Sequence, residues 1–222
     1  MKPYYQDDQV TLYHGDCLEI TDWLTADVLV TDPPYGTELM STANGNAGGY
    51  GRVSRADRAK GLGHIANDTT TETRDSALAS WGDRPALVFG SPRLPDPPGR
   101  WVDRLVWDKK RPGMNGGPWR YRHESIYATA GFERRNNETT SILVAFPDQS
   151  LHIHAKPLGL MTSLVDCAPR GVIADPFAGS GTTLVAARNL GRRAIGVELE
   201  ERYCELIATR LDQMCLDFGE GA

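Results

Sequence analysis

The stretch that decides the fold runs Val172-Ile173-Ala174-Asp175-Pro176-Phe177-Ala178-Gly179-Ser180-Gly181-Thr182-Thr183 and continues to Ala194-Ile195-Gly196-Val197-Glu198. Its first three residues read as a short strand, Thr182 to Leu190 as a helix closed by Gly191, and Ala194 to Val197 as a second strand. This is one βαβ unit. The two glycines of the first turn let the backbone come near a ligand, and the helix that follows offers N–H groups with no partner inside the helix. The turn therefore reads as a cradle for a nucleoside cofactor, although tight strand-to-helix turns also use glycine for steric reasons alone. Glu198 falls 19 positions after Gly179, at the end of the next strand, where a carboxylate can accept hydrogen bonds from ribose hydroxyls. Position 184 is Leu where a dinucleotide fingerprint has its third glycine, which favours a ligand with a single nucleoside over a pyrophosphate. Asp16, Asp175 and Glu198 would give the acidic surroundings that suit a cationic sulfonium.

Outward from this unit, Glu200 to Met214 keeps the 3.6-residue period of an amphipathic helix, and Pro157 to Ala168 reads as a shorter one with Pro157 at its first position. Asp27 to Thr31, Pro85 to Gly90 and Val102 to Trp107 read as core strands, with Ser125 to Ala128 and Ser141 to Phe146 as further candidates. Strands alternating with helices imply an α/β parallel sheet with helices on both faces, and 222 residues suit one domain. Residues 36–80 are rich in Gly, Asn, Ser, Thr and Arg and read as a lid or binding loop.

The net charge of −5 is unevenly spread. Between Lys109 and Arg135 seven Lys or Arg stand against Glu124 and Glu133, whereas from Ile195 onward Arg202 and Arg210 stand against seven acidic residues. One basic and one acidic surface are expected. Cys17, Cys167, Cys204 and Cys215 are scattered singly, without zinc-site spacing or disulfide density, so no metal is expected. The polar start and the lack of a long apolar run suggest a cytoplasmic protein without membrane contact.

The second motif, Thr31-Asp32-Pro33-Pro34-Tyr35-Gly36, ends its strand at the edge where open α/β sheets bind ligands. Pro33 fixes φ and lacks an N–H, so its carbonyl can be presented beside the Asp32 carboxylate. The two acceptors together suit an –NH₂ group, and Tyr35 offers a flat surface for a base. Alone, the motif could be a turn that merely ends a strand.

Together the motifs resemble the amino-methyltransferases of DNA, whose DPPY segment is matched by Asp32, Pro33, Pro34 and Tyr35 and whose F-x-G-x-G segment is matched by Phe177 to Gly181. His152 to Pro157 resembles the family's H-x-x-x-K-P element, Gly15 to Glu19 its G-D-C-x-E element, and Trp107-Asp108-Lys109 with Glu124 its W-x-K and later Glu. The resemblance implies a Rossmann-like, S-adenosylmethionine-dependent methyltransferase sheet, circularly permuted so that the catalytic motif precedes the cofactor motif. It implies a catalytic role for Asp32 to Tyr35 and cofactor contacts from Asp16, Asp175, Phe177, Gly179, Ser180, Gly181, Thr182 and Glu198. Lys156 would meet the cofactor carboxylate, although a solvated lysine before a helix would look the same. His152 and His154 read as packed or capping side chains, and Trp101, Trp107 and Trp119 as core or loop anchors. The implied partner is double-stranded DNA, contacted through residues 36–80 and 109–150, and a homodimer stays open. Adenine N6 is the expected target, with cytosine N4 as the alternative and, after it, N-methylation of RNA or of a protein side-chain amide. A nicotinamide oxidoreductase would use the same βαβ unit but leaves Asp-Pro-Pro-Tyr without a purpose.

Overall fold

The computed structural model describes residues 1–35, 70–111, 119–133, 140–147 and 155–217. Short apolar runs stopped by proline, glycine or polar residues form the strands β1 (Tyr5–Gln6), β2 (Val10–His14), β3 (Val28–Thr31), β4 (Ala86–Gly90), β5 (Asp103–Asp108), β6 (His123–Ala128), β7 (Ile142–Val144), β8 (Ile173–Asp175) and β9 (Ala194–Glu198). The helices are α1 (Glu72–Trp81), α2 (Leu158–Cys167), α3 (Thr182–Asn189) and α4 (Glu201–Asp217), with one 3-10 turn at Asp22–Thr25. Among the described residues the strands make one sheet in the order β1-β2-β9-β8-β3-β4-β6-β5-β7. Only β1 and β6 run against the rest. The sheet is mostly parallel, as expected from strands that alternate with helices.

Both faces of the sheet are covered, and the two-residue strand period divides the core accordingly. Val28 and Val30 of β3 join Leu87 and Phe89 against α2, α3 and α4, whose Leu164, Val165, Leu184, Ile207 and Leu211 are buried there. Leu29, between the two valines, faces the other way, with Val88, Ala174 and Val197, toward the 3-10 turn and α1. On this second face Trp23 stacks on Trp81 at 5.8 Å and 10°, and the Arg84 guanidinium lies 3.6 Å from the centre of the Trp81 ring. Arg84 also donates to the carbonyls of Leu24 and Ala26, and the Trp23 indole donates to the Cys17 carbonyl at 2.9 Å. The stack thereby fixes the loop that follows β2.

Several expectations need correction. The polar segment read as a loop to Ser80 contains α1, which forms because Ala77, Leu78 and Trp81 supply one buried stripe despite the low apolar content. Residues 36–69, the rest of the expected lid, lie outside the described residues. Pro157 caps α2 rather than opening it, since the helix starts at Leu158. Trp119 is no anchor, being 75% exposed, whereas Trp107 is buried and Trp101 donates to the Pro97 carbonyl at 2.8 Å. No helix of the described residues is long and apolar enough to cross a membrane.

The stack yields a contrast between two tryptophans. Trp81→Ala should destabilise the fold by about 3–5 kcal/mol, as large-to-small changes of buried aromatics do, while Trp119→Ala should stay within about 0.5 kcal/mol. Urea unfolding followed by circular dichroism measures both; equal midpoints for the two variants would refute the role given to the stack.

Candidate active site

Seven co-directed strands deliver their carboxyl ends to one edge of the sheet, and the reversed β6 brings its amino end to the same edge. At the centre, β3 and β8 are neighbours whose next sheet strands lie on opposite sides, β4 beyond β3 and β9 beyond β8. Such a divergence opens a crevice in which α/β proteins bind their ligands.

The β8 side of the crevice is acidic and closely tied to backbone donors. Asp175 is buried at the end of β8, where its Oδ1 accepts the Thr31 hydroxyl of β3 at 2.7 Å and the Phe177 N–H at 3.2 Å. Burial pushes its carboxyl up to about 6 against the opposing hydrogen bonds of Thr183 and Thr31. Glu198, at the end of β9, accepts the Gly179 N–H at 2.7 Å and the Glu200 N–H at 2.8 Å, and burial pushes it up to about 7. The Gly15 N–H donates to the Glu198 carbonyl at 2.9 Å, which sets the Gly15-Asp16-Cys17 loop beside this carboxylate. Asp16 uses Oδ1 to accept the Leu18 N–H at 2.8 Å. The Ser180 and Thr182 hydroxyls lie 3.2 Å apart at the start of α3.

The two glycines of the turn have different reasons to be glycine. Both have positive φ, +54° at Gly179 and +77° at Gly181. A Cβ on Gly179 would find only the Phe177 carbonyl, at 3.9 Å, so this residue leaves room on the crevice side. A Cβ on Gly181 would stand 2.6 Å from Ile207 of α4. Close approach to a ligand is thus the wrong reason for Gly181, whose missing side chain lets α4 pack against the turn. Arg210, one helical turn beyond Ile207, donates to the Ser180 carbonyl and holds the same junction.

The β3 side holds Asp32, half-buried, with Pro33 and Pro34 buried after it. The Tyr35 hydroxyl donates to Asp32 Oδ1 at 2.5 Å and lies 3.4 Å from Glu124 Oε2. Lys156, just before α2, is 9% exposed and donates to Asp32 Oδ2, with Glu124 Oε2 at 3.4 Å. Its ammonium also lies 4.9 Å from the Phe89 ring centre and 5.9 Å from that of Trp107. Lys109 at the end of β5 donates to Glu124 Oε1 at 2.5 Å. Burial pushes the Lys156 ammonium down, but Asp32 and Glu124 outweigh it and hold it above its usual value. Burial pushes Asp32 up, and Glu124 adds to the rise while Lys156 opposes it.

Asp16, Asp175, Phe177, Gly179, Ser180, Gly181, Thr182 and Glu198 thus surround one turn, and Asp32 to Tyr35 stand across the β3–β8 seam from it. Lys156, expected to meet the cofactor carboxylate, is placed against Asp32 and Glu124. Glu124 was not singled out as a site residue, although its place opposite Trp107 in the Ser-Ile-Tyr-Ala strand would have brought it beside Lys109. Part of the basic stretch after Trp107 is paired with carboxylates, the half-buried Lys109 with Glu124 and the exposed Lys110 and Arg122 with the buried Asp108. Arg111 and Arg120 remain exposed. His152 and His154 lie outside the described residues.

A fold of this kind, with its motifs gathered at the switch point, defines an α/β methyltransferase-like protein. The sequence pattern of the family described as DNA methylase matches residues 96–209, just over half of the chain, and the chain belongs to that family. It is 26% identical over 264 residues to the type II methyltransferase M.ScaI of Streptomyces caespitosus, covering 95% of this chain and 84% of that one. Among solved structures, the cytosine-N4-specific PvuII DNA methyltransferase superposes with a TM-score of 0.65 at 15% identity, over 94% of this chain and 88% of the other. The M1.HpyAVI–SAM complex superposes with a TM-score of 0.60 at 22% identity, over 90% and 99%. These superpositions establish the Rossmann-like methyltransferase fold.

The raised Asp175 carboxyl leads to a test. Its folded value of about 6 exceeds the ordinary 3.8, so the folded state holds this proton more tightly than the unfolded state. The group's contribution to stability is therefore greatest below about pH 4 and falls as the pH rises through 6. Asp175→Asn keeps an oxygen for Thr31 and Phe177 and removes the charge. The variant should be more stable than the parent at pH 8 by up to about 2–3 kcal/mol, with the gap closing by pH 4. Thermal unfolding across this range checks the sign, and a gap that widens toward acid would refute it.

Proposed function

We propose that this DNA methylase transfers the methyl group of S-adenosylmethionine to the exocyclic amino nitrogen of a base flipped out of double-stranded DNA, with adenine N6 as the target. One observation carries the reading: Asp32 and the acidic glycine turn occupy adjacent strands across the switch point, with Thr31 bonded to Asp175 between them. The donor set suits the cofactor, because the buried Asp175 and Glu198 meet hydroxyl and N–H donors rather than cations and so favour a cationic, hydroxyl-rich ligand. S-adenosylmethionine supplies an electrophilic methyl group on a sulfonium. Asp16 would face its adenine, Glu198 its ribose, and Asp175 with the Phe177 to Thr182 turn its amino-acid portion.

An exocyclic amine is a weak nucleophile because its lone pair is delocalised into the ring. Asp32 and the Pro33 carbonyl accept its two hydrogens and so favour a pyramidal nitrogen. These hydrogen bonds strengthen as the nitrogen gains positive charge, which lowers the barrier more than it tightens substrate binding. To take this place the amine displaces the Tyr35 hydroxyl from Asp32 Oδ1, which frees the Tyr35 ring to stack on the base. Flipping costs a few kcal/mol, offset by stacking and by phosphate contacts from exposed cations such as Arg111 and Arg120. The catalytic strand β3 precedes the cofactor strand β8 in the chain although the two are neighbours in the sheet, which supports the permuted order. An acidic first position in the motif, Asp32, supports adenine. Cytosine N4 is the second reading, supported by the likeness to the PvuII enzyme.

Incubation with labelled S-adenosylmethionine and unmethylated chromosomal DNA, then digestion to nucleosides and mass analysis, should yield N6-methyladenine; N4-methylcytosine would overturn the base. Asp32→Ala should lose on the order of a hundredfold or more in rate and still bind cofactor. An active variant would refute the mechanism. Separately, Arg111→Ala and Arg120→Ala should each weaken DNA binding and lower the dependence of log affinity on log salt by about one. An unchanged slope in both, from fluorescence anisotropy at several salt concentrations, would remove these residues from the DNA surface.

A further inference from the structure

We infer that Glu124 and Lys156 are positioning residues for the amine acceptor, Lys156 gripping one oxygen of Asp32 from inside the protein and Glu124 restraining that lysine from behind. The inference rests on the functional reading above for the purpose of Asp32, and on the geometry of the described residues for everything else. Lys156 lies just before α2, Glu124 stands on β6, Lys109 follows β5 and Asp32 follows β3, so four separate elements meet around two carboxylates and two ammonium groups.

The four side chains form a series whose two inner members, Glu124 and Lys156, are buried and whose ends, Lys109 and Asp32, are partly exposed. Lys109 holds Glu124 Oε1, Glu124 Oε2 faces Lys156, and Lys156 takes Asp32 Oδ2, the oxygen that Tyr35 does not use. Asp32 is therefore fixed in rotation, with Oδ1 aimed to the side where Tyr35 now lies and where an amine would bind. A buried carboxylate without a cation takes up a proton, and a protonated carboxyl is a poor acceptor for an amine hydrogen. Lys156 opposes that protonation, while burial and Glu124 hold the Asp32 carboxyl above its usual value. Glu124 also divides the hold of Lys156, so that Asp32 is not fully neutralised by its partner. The charged and titratable groups facing Asp32 are Lys156 before α2, Glu124 from β6, Tyr35 from its own loop and Asp175 from β8.

Two variants should shift Asp32 in opposite directions. Lys156→Met keeps the length of the side chain and suits the Phe89 and Trp107 rings but removes the charge, so the protonation midpoint of Asp32 should rise. Glu124→Gln keeps shape and removes a like charge, so the midpoint should fall. Carbon-13 NMR of the full chain labelled at aspartate carboxyls, with Asp32→Asn identifying the signal, reads these midpoints without any assay of activity. Methyl transfer from labelled S-adenosylmethionine to unmethylated chromosomal DNA supplies the second readout. In Lys156→Met the acid limb of the kcat profile should move to higher pH with the KM for cofactor unchanged. A midpoint one pH unit above that of the assay leaves roughly one carboxylate in ten charged, so the rate at that pH falls about tenfold and recovers as the pH is raised. Should Lys156→Met fail to fold, Glu124→Gln alone decides by the direction of its shift. An Asp32 midpoint unmoved, or moved the same way by both variants, overturns the inference. So does a loss confined to the KM for cofactor, which would return Lys156 to the cofactor carboxylate. A parent protein that methylates no DNA while its Asp32 midpoint shifts as expected would refute the functional reading and leave the positioning pair standing.

Discussion

The hydrogen bond from Thr31 to Asp175 lies where the two halves of the molecule part company. β3 and β8 pair through Val28 with Ile173 and Leu29 with Ala174, and their ladder stops there. Beyond it the strands spread, and the chain that follows each turns to opposite sides of the sheet. The 2.7 Å contact between the Thr31 hydroxyl and the Asp175 carboxylate is the last tie across the opening. Asp32 is the next residue on one bank and the glycine turn follows on the other, so any relative movement of the two would strain this bond first.

The banks handle buried charge by different means. On the β8 side, Asp175 and Glu198 accept hydrogen bonds from hydroxyl and N–H donors, which leaves their charge poorly compensated and their carboxyls raised by burial. A site of this kind is stabilised by a ligand that brings positive charge or hydroxyl donors with it. On the β3 side, two lysines and two carboxylates balance one another before any ligand arrives. On the proposed reading, cofactor binding and amine recognition rest on separate electrostatic arrangements, although the residues concerned are neighbours in the sheet.

How much of this was legible in the sequence follows from which signals are local. The βαβ unit from Val172 to Glu198 could be read because strand, turn and helix each carry their own residue pattern, whereas Asp16 was placed beside it by the family resemblance, the strand before it, β2, not having been read. α1 was missed since its buried stripe consists of Ala77, Leu78 and Trp81 within an otherwise polar stretch, too few residues to show a period. The pairing of Lys156 with Asp32 was not legible because nothing local distinguishes an ammonium that meets a ligand from one that crosses to a residue 124 positions away. Glu124 needed the β5–β6 register, a pairing between strands joined by a polar segment of unpredictable path. The basic count after Trp107 overstated the outward charge, as Asp108 sits just before the counted stretch and absorbs Lys110 and Arg122.

The contact between Gly181 and Ile207 has a consequence for how this turn can change over evolutionary time. The residue at 181 is constrained twice, by a left-handed backbone and by a branched side chain 26 positions downstream that fills the space a Cβ would need. Relaxing either constraint alone gains nothing. A lineage can admit asparagine, which tolerates the left-handed conformation better than other side chains, only after α4 has given up the bulk of Ile207. The two sites should therefore drift together, so that the glycine turn carries in its history the packing of the helix behind it.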